Sequence, residues 1–279
     1  LLGFSAEDQQ LELAVPFTDN MILQRGAKVP VWGWADPGAK VTLEFADQRK
    51  TGKADKDGEW MIELDSLVAS AVERELKVSS GKDSVTLKNV LVGEVWFSSG
   101  QSNMVWTAGK SMCSELAKRL ASSKEDVPIR EINVSTVSAL YPQKRATSEE
   151  GWKKASAAGG FSALSLSFAH ELYKELNVPI GILLSAHSNT RVEAFTQRQA
   201  IEAHPRLKVD KDLIHDADPL TKQGLNAFMK YYADLKAWQD EAGHAAEAGG
   251  KVPQRPKLPG IAGMWRGPSQ FFNGKIAPV

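Results

Sequence analysis

Ser102 lies in the stretch Gly93-Glu94-Val95-Trp96-Phe97-Ser98-Ser99-Gly100-Gln101-Ser102-Asn103-Met104. An apolar run, Val95 to Phe97, stops abruptly in Ser98, Ser99 and Gly100 and delivers Gln101, Ser102 and Asn103 at its end. That pattern describes a buried strand entering a polar turn, and in open α/β sheets ligands bind at the carboxyl ends of the strands. A serine hydroxyl is a weak nucleophile until a neighbouring base takes its proton and nearby amides stabilise the oxyanion formed on the substrate. A tight Gly-x-Ser turn can present both hydroxyl and amide. The same residues would also serve as a plain polar loop leaving a strand, and the motif alone leaves both readings open.

A nucleophile needs a base, and the chain has five histidines. His170 sits in a helical pattern with an apolar face, where a structural histidine is the simpler reading. His204, beside Pro205, and His244, in an Ala/Gly-rich stretch, read as surface residues. His187 belongs to a second polar turn, Ser185-Ala186-His187-Ser188-Asn189-Thr190-Arg191. His215 follows Asp212 by three residues, a spacing at which a carboxylate can accept from Nδ1 and aim Nε2 at a serine. A solvated Asp and His at the start of a helical segment would look the same. In the second turn, a backbone amide near Asn189 could converge with that of Ser102 on an oxyanion. Arg191 and Glu193, with Gln101 and Asn103, would then be placed to touch a polar substrate. An ordinary loop with Thr190 opening a helix is the other reading.

Two different kinds of structure must position these turns. From Leu11 to Asn89 the text consists of short alternating runs: Met21 to Leu23, Val29 to Trp34, Val41 to Phe45, Trp60 to Leu64, Leu76 to Ser79 and Val85 to Leu91. Asp36-Pro37-Gly38 and Asp57-Gly58 supply turns between them. With Trp32, Trp34 and Trp60 as bulky core candidates, this predicts a small antiparallel β-sandwich over residues 9–90. After Gly93 strands alternate with helical patterns. Met112 to Ser122 reads as a helix, Ile129 to Val134 as a strand, Ser165 to Leu176 as a helix and Pro179 to Leu184 as a buried strand. Such alternation implies a mostly parallel sheet covered by helices, over residues 91–279. Val192 to Ala203 resumes a helical pattern. A charged helical insertion then runs over about 205–262, with Leu220, Leu225, Phe228, Tyr232, Leu235 and Trp238 expected as its apolar stripe and Ala242 to Gly263 as a loop.

Composition narrows the classes of function. With 42% apolar residues the chain can bury a core, and 34 basic against 34 acidic residues leave no net field to attract nucleic acid or an anionic membrane. One cysteine, Cys113, excludes an intrachain disulfide and a cysteine metal cluster. No run of about 18 apolar residues is present to span a bilayer as a helix. The opening Leu1-Leu2-Gly3-Phe4-Ser5-Ala6 reads as the tail of a signal peptide or a cloning remnant, so a secreted or periplasmic protein is expected.

Gly93 to Met104 resembles the nucleophile block of the sialate O-acetylesterase family, within the wider SGNH hydrolases. Met21-Ile22-Leu23-Gln24-Arg25, Val31-Trp32-Gly33-Trp34-Ala35 and Asp57-Gly58-Glu59-Trp60 are similar to that family's amino-terminal β-domain. Val178-Pro179-Ile180-Gly181 and Thr190-Arg191-Val192-Glu193-Ala194-Phe195 resemble its second block, and Pro268 to Val279 resembles a later one. The fold implied is α/β: a small antiparallel β-sandwich, then an incomplete SGNH-type parallel-sheet domain with a helical insertion. The activity implied is a serine esterase that removes O-acetyl groups from sugars, sialate 9-O-acetylesterase-like, through an acyl-enzyme and without metal or other cofactor. Ser102 matches the nucleophile. Where the second block usually carries an oxyanion-hole Gly, this chain has Ser188-Asn189; Asn tolerates left-handed backbone better than most residues, and its amide remains a donor. The family's third block and its Asp-x-x-His base follow the segment that resembles Phe272 to Pro278. The resemblance thus implies a base beyond Val279 and argues against His215 with Asp212. A parallel sheet of about three strands between Gly93 and Leu184 would also leave a long unpaired edge. Either the chain is a fragment, or a second chain, the carboxy-terminal remainder of the same precursor, completes the sheet and supplies the base. A noncatalytic sugar-binding homologue is the alternative from a different class.

Overall fold

The structure, a computed structural model, describes residues 10–135, 144–190 and 192–256. They fall into two compact units, one of residues 10–135 and 144–189, the other of residue 190 and residues 192–256.

The first unit opens with strands β1 (Glu12–Leu13), β2 (Ile22–Gln24), β3 (Val29–Trp34), β4 (Lys40–Phe45), β5 (Gln48–Lys53), β6 (Glu59–Leu64), β7 (Ser70–Ser80) and β8 (Asp83–Gly100). Helices α1 (Ser102–Val105) and α2 (Ser114–Ala121) follow, then β9 (Ile129–Asn133), β10 (Trp152–Lys154), α3 (Ala163–Leu176) and β11 (Ile180–Ala186). Strands β1, β3 and β6 form an antiparallel sheet, while β10, β9, β11, β8, β7, β4 and β5 lie side by side in a larger mixed sheet, with β2 also pairing β8. In β4, Val41, Leu43 and Phe45 are buried alternately, as are Trp60, Ile62 and Leu64 in β6. That period of two directs one face of each antiparallel sheet into a single core, where Trp32 and Trp34 also lie.

Strand β8 serves both architectures. Its first half is antiparallel to β7, and from Glu94 to Gly100 it runs parallel to β11, which is itself parallel to β9. The crossing depends on Gly93: a Cβ there would stand 1.9 Å from the Pro179 carbonyl oxygen. Strand β11 is buried along nearly its whole length, as a parallel strand covered on both faces should be. Beyond Gly93, β8 has β11 as its strand partner and, among the described residues, none on its other edge. Trp96 and Phe97 on this stretch stay 42% and 45% exposed, although Trp96 meets Phe168 of α3 edge-on at 5.1 Å.

The second unit is helical: a 3-10 turn at Val192–Phe195, then α4 (Arg198–Ala203), α5 (Lys208–Ala217) and α6 (Lys222–Glu247). Ile201 and Ile214 are its buried apolar pair. Residues 242–247, expected as a loop, instead continue α6, because their alanines favour helix and no proline intervenes before Pro253. The apolar stripe also differs from expectation. Gly224 and Tyr231 are the buried residues of α6, with Phe228, Leu235 and Trp238 half-buried, while Leu220, Leu225 and Tyr232 are exposed. Gly224 sets that register, since a Cβ there would fall 1.9 Å from the Asp218 carbonyl. No helix among the described residues is long and apolar enough to cross a membrane.

Candidate active site

The carboxyl end of β8 is where Ser102 is delivered. Gly100 takes φ 144°, outside the comfortable range of a residue with a Cβ, and α1 begins two residues later. Within that turn the Met104 and Val105 amides both donate to the Gln101 carbonyl, at 2.8 and 3.2 Å. Ser102 is half-buried, whereas Gln101 and Asn103 are exposed. Among the described residues, no histidine nitrogen is hydrogen-bonded to the Ser102 hydroxyl.

The end of β11 adjoins this turn because Ala186 is in register with Gly100 and the His187 amide donates to the Gly100 carbonyl at 3.0 Å. Two residues on, Asn189 takes φ 57° in the left-handed region, where asparagine is among the few non-glycine residues found readily. His187 Nδ1 lies 2.8 Å from the Ser188 carbonyl. A carbonyl can only accept, so Nδ1 carries the proton and Nε2 is the basic nitrogen of the neutral ring. At the ends of β9 and β11, Asn133, Ser135, Ser148, Glu149, Glu150 and Lys153 line a polar cleft. Arg191 lies outside the described residues, as does the side chain of Glu193, whose backbone belongs to the 3-10 turn of the second unit. In that same unit, His215 Nε2 stands 3.6 Å from Glu202 Oε1, and Asp212 is exposed on α5.

Below the serine turn lies a buried carboxylate that the sequence reading passed over. Glu131, in the middle of β9, is 4% exposed, and both its oxygens lie 3.1 Å from the Ser162 amide nitrogen. Burial pushes its carboxyl up to about 8, against the opposing pull of the Ser162 amide and of Lys153. An adjacent pair of charges, Arg130 and Glu131, between Ile129 and Ile132 was the available signal. His170, read as structural, is 3.2 Å from Arg119 Nη2 through Nε2.

An α/β chain in which a serine turn caps a parallel strand, joined to an antiparallel β-domain through that same strand, is a fold shared with carbohydrate acetylesterases. The chain is similar in sequence to proteins named sialate O-acetylesterases. It is 29% identical over 206 residues to the Sialate O-acetylesterase of Mus musculus, covering 67% of this chain and 38% of the relative. The Homo sapiens protein of the same name is 28% identical over 204 residues, with 66% and 38% covered. A crystal structure of a carbohydrate acetylesterase from Xanthomonas citri superposes with a TM-score of 0.64 at 31% identity, covering 71% of this chain and 45% of that one. No family model matches the chain. It spans about 38% of the length of the curated relatives it matches.

Proposed function

We propose that the protein containing this chain is a carbohydrate O-acetylesterase with Ser102 as its nucleophile. Ser102 Oγ attacks the acetyl carbonyl carbon as a base takes its proton, and the carbonyl electron pair moves onto oxygen. The amides of Ser102 and Asn189 donate to that oxyanion. Collapse of the tetrahedral species breaks the bond to the sugar oxygen, which leaves with the proton held by the base. Water then hydrolyses the acetyl-serine by the same sequence, with acetate departing. Gln101 and Asn103, exposed beside Ser102, are the proposed contacts to the sugar. The base is proposed to be a histidine from a region of the protein outside this chain.

The observation that carries this reading is the meeting of two strand ends. Ser102 and a left-handed Asn189 stand at the carboxyl ends of paired parallel strands, in a chain similar to proteins named as acetylesterases. The edge of β8 beyond Gly93, which has no strand partner among the described residues, supports a base from elsewhere, since the relatives carry more than half their length outside the match. The test is acetate release from acetylated sugars by the full-length protein. Ser102→Ala is expected to lower turnover by roughly 10³-fold or more. Unchanged turnover would overturn the assignment.

A further inference from the structure

The amino end of α3 is held by a carboxylate and itself holds the serine turn. Ser162 is the N-cap of α3, and its hydroxyl accepts from the Ser165 amide at 3.3 Å. Its own amide donates to Glu131, whose two oxygens are equidistant from it. The Ser162 and Ser165 hydroxyls lie 3.5 and 3.6 Å from Met104 Sδ, two residues along α1 from Ser102. Backbone bonds lace the same two segments together. The Ala163 amide donates to the Trp106 carbonyl and the Ala108 amide to the Phe161 carbonyl, both at 2.8 Å, and Thr107 bridges Ser162. Met104 reaches back as well, since a Cβ on Gly100 would meet Met104 Cβ at 3.5 Å.

We propose that Glu131 is a positioning residue for Ser102: it fixes the Ser162 amide and, through Ser162 and Met104, the turn that carries the nucleophile. This rests on the esterase reading, in which the Ser102 hydroxyl must be held within a fraction of an ångström of its attack geometry. Glu131 does not touch the substrate. A carboxylate beside a helix amino end would ordinarily gain from the dipole; here its environment is otherwise apolar. The charged group facing it is Lys153, its register partner on β10, while β11 presents Ile182 and α3 presents Ser162. With a folded-state value near 8 against 4.5, the folded protein holds a proton that the unfolded chain releases. The contribution of this group to stability is therefore fully present below about 4.5 and is lost as the pH rises to about 8.

The test compares Glu131→Gln and Glu131→Ala in the full-length protein, using a serine-directed fluorophosphonate and 4-nitrophenyl acetate as probes. Glutamine copies the neutral acid, so Glu131→Gln should keep labelling and turnover within about twofold of wild type at pH 7. It should also lack the decline in Tm expected of wild type from about pH 5 to about pH 8.5. Glu131→Ala should slow labelling of Ser102 by tenfold or more, with KM changed little. Wild-type labelling rates in Glu131→Ala, or a Tm profile of Glu131→Gln parallel to that of wild type, would overturn the inference. Failure of wild type itself to label at Ser102 would instead overturn the esterase reading.

Discussion

Arg130 shows how much a single buried side chain can hold in this protein. It is 1% exposed, yet its guanidinium donates through Nη1 to the carbonyls of Asn20 and Asn89 at 2.8 and 2.6 Å and through Nη2 to Asn89 Oδ1 at 2.7 Å. Both asparagines have left-handed backbone, φ 64° and 55°, and Asn89 Nδ2 donates to Asn20 Oδ1 at 2.8 Å. A cation on β9 thus ties the turn before β2 to the irregular point inside β8 at Asn89. Desolvation lowers its affinity for a proton, and Asp126, 4.0 Å away, offsets only part of that. Arg130→Met preserves volume but strands three acceptors, so it should destabilise by roughly 2–4 kcal/mol. Urea unfolding would measure this as a lower midpoint at unchanged slope. A loss below roughly 1 kcal/mol would mean that the carbonyls find other donors.

At the scale of elements, Gly93 is the most exacting position. Its absent Cβ lets β8 pass within hydrogen-bonding distance of the segment leading into β11, where the Glu94 amide donates to the Pro179 carbonyl at 2.9 Å. Gly93→Ala would force backbone apart at the point where the parallel pair starts, at a cost of roughly 3 kcal/mol. A thermal or denaturant midpoint close to wild type would show that the two strands separate there freely. The same glycine explains an uneven legibility. The run into Ser102 differs from its reading as a buried strand ending at Phe97: Trp96 and Phe97 are exposed and the strand continues through Gly100. Val29–Trp34 and the buried run of β11 could be read because composition and punctuation agreed with burial. Strand β5 could not, because Gln48–Lys53 is polar on both faces and owes its place to pairing with β4. Nor could β10, three residues long and set by its pairing with β9. The α6 stripe slipped by one residue at Tyr231 and Tyr232 because two adjacent tyrosines fit either face, and only the close approach at Gly224 decides. Glu131 escaped notice because charge in a strand reads as exposure until its partner amide is known.

At the scale of the whole molecule, β8 beyond Gly93 has no strand partner on its outer edge among the described residues, and a finished parallel sheet would cover such an edge. Parallel sheets are buried on both faces, and exposed edges with apolar side chains invite pairing. Trp96 and Phe97, adjacent in β8 and so directed to opposite faces, are both nearly half exposed, and Phe168 opposite Trp96 is 42% exposed. Surface of this kind on both sides of one strand end fits a further strand and its covering helix better than a loose ligand. The relatives are more than twice as long as the region they share with this chain, which leaves ample length for both. A strand beside β8 would also bring its own carboxyl end next to Ser102, the place where the proposed mechanism calls for a base. Amide hydrogen exchange over residues 95–100 separates the outcomes. In the full-length protein these amides should exchange at least about tenfold more slowly than in the 279-residue chain, each tenfold marking about 1.4 kcal/mol of added protection. Addition of the separately expressed remainder to the chain should restore that protection together with fluorophosphonate labelling of Ser102. Equal exchange in both forms would show that this edge stays open and that the proposed base reaches Ser102 without pairing to β8.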